Sequence, residues 1–232
     1  MDSREFDKFA EEYTSLHRAN ITASGEAPEY FAEYKIRDLK RLVAGGFPGI
    51  DTGRFLDFGG GVGTSVPFFR KHFPSAHLTC VDVSIKSLGL GVTRFGNPTS
   101  FVAFDGSHLP FPDFTFDYAF AACVFHHVSP ELHGRLFAEI WRVLKPSGKV
   151  MIYEHNPLNP LTVRAVNTCP FDENAILIKA GMLRTRLECA GFREARIRYR
   201  VFFPRSLHWL RWMEAKLEWL PLGAQYYVFG SR

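Results

Sequence analysis

The residues whose types and spacing could carry chemistry are three aspartates, a run of alternating glycines and two polar clusters built around histidine. Leu56-Asp57-Phe58-Gly59-Gly60-Gly61-Val62-Gly63-Thr64 sets glycines at alternate positions behind an acid, and glycine tolerates positive φ and close ligand approach. The dinucleotide pattern Gly-x-Gly-x-x-Gly is not met. Counting from Gly59 the sixth residue is Thr64, from Gly60 the third is Val62, and from Gly61 the sixth is Val66. Asp82 follows Gly59 by 82 − 59 = 23 residues, about where a ribose-binding acid belongs in a βαβ unit. Asp105 closes the next expected strand. A lone aspartate is ordinarily a solvated carboxylate or a helix cap. Three at successive strand ends point instead to a bound ligand.

The second group is expected at the reacting end. Cys123-Val124-Phe125-His126-His127-Val128 follows the fourth expected strand, and imidazole, with an ordinary pKa of about 6.5, suits removal of a hydroxyl or amine proton. Either His126 or His127 could be that base, with structural packing as the competing role for each. Glu154-His155-Asn156, after the fifth strand, offers a carboxylate, an imidazole and an amide to a polar substrate. Loop capping by Asn156 competes with that role. His126, His127, Glu154 and His155 have no recognisable metal-ligand spacing, so no metal is expected.

The elements that must position these groups follow from hydrophobic periodicity. Phe6, Phe9, Tyr13 and Leu16, then Phe31, Tyr34, Leu39 and Leu42, recur at helical spacing, with Ser24 to Pro28 as the turn between two helices. Strands are expected at 54–58, 77–82, 99–104, 116–122, 149–154, 193–202 and 224–230. Helices are expected to about 72 and at 84–94, 130–144, 172–190 and 205–219, with a loop at Pro157 to Pro160. The fold class is therefore α/β, a single doubly wound, mostly parallel seven-stranded sheet of Rossmann-like form with an N-terminal helical cap. The 232 residues suit one domain: a cap over 1–45, a ligand-binding core over 54–154, and substrate-side elements with the last two strands over 155–232.

Those motifs, taken in order, resemble the class I S-adenosylmethionine-dependent methyltransferases. Asp57-x-Gly59-x-Gly61-x-Gly63 has the form of that family's first motif. The likeness continues through Asp82, Asp105-Gly106-Ser107-His108-Leu109-Pro110-Phe111, Phe116-Asp117-Tyr118 and Arg142-Val143-Leu144-Lys145-Pro146-Ser147-Gly148. It covers residues 54–154. The resemblance implies S-adenosyl-L-methionine as cofactor, with Asp57, Gly59, Gly61 and Gly63 around its methionine part, Asp82 on the ribose hydroxyls, and Asp105 with Gly106 at the adenine. It also implies an N-terminal lid that brings Tyr13 towards the sulfonium, although Tyr13 shares an apolar stripe with Phe6 and Phe9 and core packing competes evenly. Gly60 departs from the family, where a cysteine or other small side chain is common. Members of this type generally need no metal.

The acceptor expected from the sequence is a small molecule or a lipid-linked saccharide, methylated at oxygen. Lys179 to Lys216 holds ten Lys or Arg against three Glu, a local charge of +7 in a chain of +4. At its end and just beyond, Trp209, Trp212 and Trp219 share a broad apolar segment with Arg205, Arg211 and Lys216. That segment could wall the pocket, form a dimer seam, meet an anionic membrane peripherally, or pack on its own sheet. Nucleic acid is disfavoured, since the fourth strand lacks the Asn/Asp-Pro-Pro-Phe/Tyr signature of amino-directed DNA enzymes. A cofactor-binding regulator without transfer chemistry is the non-enzymatic alternative. Cys80, Cys123, Cys169 and Cys189 form no Cys-x-x-Cys pair, the N-terminus has no apolar signal region, and a cytoplasmic protein with reduced thiols is expected.

Overall fold

The computed structural model describes residues 25–44 and 52–232, together with Asp7. The first expected helix, and Tyr13 with it, lie outside the described residues.

Helix α1 (Pro28–Ala44) begins at the proline, which gives up no hydrogen bond in a first turn. The order is then β1 (Arg54–Phe58), α2 (Val66–His72), β2 (His77–Asp82), α3 (Ile85–Phe95), β3 (Ser100–Ala103), β4 (Phe116–Ala122), α4 (Pro130–Val143) and β5 (Leu144–His155). It closes with α5 (Pro160–Thr168), α6 (Ala180–Cys189), β6 (Arg193–Arg200), α7 (Glu214–Leu217) and β7 (Gln225–Ser231). The seven strands lie in the order β3-β2-β1-β4-β5-β7-β6. β1 to β5 are mutually parallel, and β7 runs antiparallel between β5 and β6.

Alternation along the strands sorts the core into two layers. Leu56, Phe58, Ala119, Ala121, Val150 and Ile152 face α4 and α6, whose Phe137, Ile140, Leu183 and Leu187 complete one layer. Phe55, Tyr118, Phe120, Met151 and Tyr153 face the other way, towards Tyr34, Ile36 and Leu39 of α1 and Phe69 of α2. α1 is braced there by charge as well. The buried Asp38 accepts from Arg200 Nε at 2.7 Å and Nη2 at 3.0 Å, and from the Tyr153 hydroxyl at 2.9 Å. The strand order reverses between β1 and β4, so a crevice opens at their carboxyl ends.

Two expectations are corrected and one is extended. The loop expected at 157–160 is present over 157–159 and leads into an additional helix: Asn159 accepts from Leu161 N and Thr162 N and caps α5. The helix expected over 172–190 is two pieces, a 3-10 turn at Pro170–Asp172 and then α6 from Ala180, because Ile176 N donates to His126 O at 2.7 Å and draws the intervening chain across the crevice. The helix expected at 205–219 is a 3-10 segment over Arg205–Met213, broken at Leu207, followed by the short α7. It buries no residue of 205–213, so packing on its own sheet is not its role, and Trp209, Trp212 and Trp219 are 63%, 67% and 71% exposed.

Candidate active site

The carboxyl ends of β1, β2, β4 and β5 open into a cavity of about 650 Å³ roofed by α1 and α5. At one end lies the glycine turn. Gly59, Gly61 and Gly63 have φ of 74°, 49° and 79°, and a Cβ on Gly59 would stand 2.5 Å from Val124, so no larger residue fits that bend. Gly60 has a related reason: a Cβ there would lie 2.8 Å from that of Cys80. Asp82 Oδ2 accepts from Gly61 N and Oδ1 from Ser84 N, both at 2.9 Å, which ties the turn to the end of β2. Burial raises the Asp82 pKa against the pull of these hydrogen bonds. Asp57 lies beside the turn and accepts from the Ser65 hydroxyl. Burial pushes its pKa up to about 7, opposed by that hydroxyl and reinforced by Asp82.

The structure does not bring Asp105 or Gly106 into this cavity. Asp105 is exposed and turns back on its own loop, accepting from Ser107 N, Ser107 Oγ and His108 N at 2.7–2.9 Å. Those bonds hold its pKa down to about 2.

At the other end stand His126, His127, His155 and Asp172. His126 is enclosed, with Nδ1 2.6 Å from Glu154 Oε2. Burial by itself would lower its pKa, but the Glu154 and Asp172 carboxylates outweigh burial and raise it to about 10. His127 moves the other way, lowered by burial against the attraction of Asp172; its Nε2 lies 3.3 Å from Asp172 Oδ1. Burial and the neighbouring His126 drop His155 to about 4.

Two of the three residues expected to recognise substrate do another task. Glu154 is fully buried outside the cavity wall, accepting from Val124 N at 3.2 Å and Phe125 N at 2.7 Å while gripping His126. Asn156 staples the loop before β7, donating to Pro221 O and Gly223 O. Only His155 of that trio lines the cavity.

Sequence reasoning missed Asp172, Lys35 and Cys123. Asp172 sits at an expected helix start, 172 − 127 = 45 residues after His127, and nothing in its spacing signals the approach. Lys35 reads as one polar residue of an amphipathic helix, yet it is buried on the cavity wall with Nζ 3.3 Å from Cys123 Sγ. Cys123 has a φ of 59° directly after β4, a kink that aims its thiol inward, and burial raises its pKa.

Residues 56–152 match the family model for the methyltransferase domain. The ubiquinone/menaquinone biosynthesis C-methyltransferase UbiE of Cellvibrio japonicus is 33% identical over 132 residues, 53% of this chain and 52% of that protein. The demethylmenaquinone methyltransferase of Chlamydia trachomatis is 34% identical over 105 residues, 45% of each. The chain spans about half the length of the curated relatives it matches. An S-adenosylmethionine-dependent methyltransferase from Thermotoga maritima superposes over 99% of both chains with a TM-score of 0.67 at 18% identity. Phosphoethanolamine N-methyltransferase 2 of Haemonchus contortus, solved with S-adenosyl-L-methionine, covers 84% of this chain and 52% of that one with a TM-score of 0.59 at 18% identity.

The chain has the fold of S-adenosylmethionine-dependent methyltransferases, and residues 56–152 match the methyltransferase domain. S-adenosylmethionine is the cofactor of that class, and the residues present fit it. The turn brings bare backbone to the cavity, Asp82 borders the cavity with both oxygens fixed, and a buried carboxylate with a raised pKa, Asp57, gains from a cationic ligand.

Proposed function

We propose that this protein transfers a methyl group from S-adenosylmethionine to a small-molecule acceptor held in the same cavity. The observation that carries this reading is the continuity of the cavity, which runs from the Gly59–Gly63 turn to the His126, His127 and Asp172 cluster. S-adenosylmethionine supplies a methyl on a positively charged sulfur. Transfer is an in-line displacement, so the protein's part is alignment and exclusion of water. Asp57 and Asp82 with the glycine turn hold the donor, and the histidine and Asp172 end orients the acceptor. Phe31, Phe120, Leu161, Val166 and Phe203 line the wall. Such walls suit a flat or hydrocarbon-bodied acceptor better than a saccharide, and the polar end suits an acceptor bearing oxygen. The names of the Cellvibrio and Chlamydia relatives support an acceptor of the quinol kind. Whether oxygen or ring carbon receives the methyl is decided by the product.

A peripheral membrane contact belongs to this reading because of the exposed tryptophans. Phe202, Phe203 and Pro204 line the cavity immediately before the 3-10 segment that displays Trp209 and Trp212. An acceptor with a lipid tail could thus pass from a bilayer to the site. No helix among the described residues is long and apolar enough to cross a membrane.

Calorimetry with S-adenosylhomocysteine and a quinol panel followed by mass spectrometry test the proposal. Asp82→Ala should weaken binding by about 1.5–3 kcal/mol, the worth of charge-assisted hydrogen bonds. His127→Ala should leave that binding intact and lower turnover by roughly 10²-fold. A wild type that binds NAD in preference defeats the proposal.

A further inference from the structure

We propose that His126, His127 and Asp172 form a binding site for a divalent first-row transition-metal ion at the acceptor end of the cavity. One ligating atom from each of His126, His127 and Asp172 lies within 4.8 Å of the other two. Asp172 Oδ1 is 3.6 Å from His126 Nε2 and 3.3 Å from His127 Nε2. A tetrahedral ion with bonds of about 2.0–2.1 Å spaces its ligands roughly 3.3 Å apart, so small side-chain movements close the set.

A second observation points independently to a ligand. His126 is 1% exposed, and its Nε2 has no hydrogen-bond partner, an uncommon condition for a buried polar atom. That atom faces the other two ligands, and its orientation is imposed from behind. Nδ1 is held by Glu154 Oε2 at 2.6 Å, and Glu154 is itself anchored by two backbone N–H groups. A carboxylate gripping the far nitrogen of an imidazole is the support that metal-ligating histidines usually have, since it fixes the ring and strengthens its basicity. The third ligand is held as firmly, with Asp172 N donating to Cys169 O at 3.0 Å and Ile176 N to His126 O at 2.7 Å.

Two imidazoles and one carboxylate favour zinc, cobalt, iron or manganese over magnesium, which takes oxygen ligands. Three protein ligands leave a coordination position open to the cavity, the arrangement of a catalytic rather than a structural site. An ion there would hold and polarise an acceptor oxygen, a role that rests on the methyl-transfer reading, whereas ion binding itself does not.

The test is titration of the metal-free full chain with Co²⁺, followed by displacement with Zn²⁺, with S-adenosylhomocysteine calorimetry on the same samples. Wild type should develop the visible absorption of low-coordinate cobalt and lose it to zinc. Asp172→Asn and His127→Gln should each weaken cobalt binding by about tenfold or more while keeping S-adenosylhomocysteine affinity. Glu154→Gln, a positioning change, should cost roughly 10–100-fold in cobalt affinity. Asp172→Asn and His127→Gln change side chains that line the cavity, so they remain informative if the Glu154 change prevents folding. Absence of a cobalt spectrum in folded wild type, or wild-type cobalt affinity in Asp172→Asn, overturns the site. Cobalt bound by a chain that does not bind S-adenosylhomocysteine sustains the metal site and defeats the methyl-transfer reading instead.

Discussion

Asp57→Asn should make the ligand-free protein more stable above neutrality and change little in mild acid. Asp57 is a buried carboxyl whose pKa rises from 3.8 to about 7, chiefly through burial. The folded state therefore keeps a proton that the unfolded chain releases from about pH 4 upward, and stability falls as pH rises through about 7. At about 1.4 kcal/mol per tenfold, the displacement corresponds to about 4 kcal/mol of stability present below pH 4 and absent above pH 8, as an upper figure. Asparagine keeps an oxygen for the Ser65 hydroxyl and cannot ionise. Urea unfolding of both proteins at pH 5 and pH 8.5 should show a difference that grows in favour of the variant by a few kcal/mol. Asp82, also raised, acts in the same direction, and because the two carboxylates repel each other, neutralising Asp57 relieves Asp82 as well and adds to the variant's gain at high pH. A constant difference across that range, or one that shrinks as pH rises, refutes the argument that Asp57 is held against its preference. The same variant should bind S-adenosylmethionine more weakly, because the carboxylate is retained for a cationic ligand.

Asp38→Ala removes the carboxylate paired with the buried Arg200. It should cost roughly 1.5–3 kcal/mol in urea unfolding, because Arg200 loses its charge-assisted hydrogen bonds to Asp38 while its Nη1 keeps Glu218 at 2.9 Å; a loss under about 1 kcal/mol would mean that Glu218 alone satisfies the buried guanidinium. Trp212→Glu should reduce co-sedimentation with anionic vesicles, and wild-type binding should fall with salt, without loss of S-adenosylhomocysteine affinity. Equal sedimentation of the two proteins, or none, would count against the membrane contact.

The parallel core was legible because its signals are local. Each buried strand is a short apolar run, each turn carries its own glycine or aspartate, and β1, β2 and β4 begin and end where periodicity places them. The glycine-turn end of the cavity was legible for the same reason: Gly59, Gly61 and Asp82 are set by short stretches of backbone that meet at adjacent parallel strands. Asp105 shares the pattern of Asp82, but its carboxylate is captured by its own following residues, a choice of rotamer that residue type does not encode.

The far end of the cavity was legible only in part: His126, His127 and His155 line it as expected, but their partners and the other polar groups there were not. Glu154 and His155 are neighbours in the chain, yet strand alternation sends one behind the histidine pair and the other into the cavity. Asp172 and Lys35 reach the same cavity from elements distant in sequence, one on a chain drawn across by Ile176 and the other on a helix braced by Arg200. The sequence by itself determined the strands and the glycine turn, because these depend on contacts between near neighbours and on a regular period. Only the tertiary structure decided which polar side chains face the reacting end, because that depends on how separate elements pack, and on which buried polar group finds its partner first.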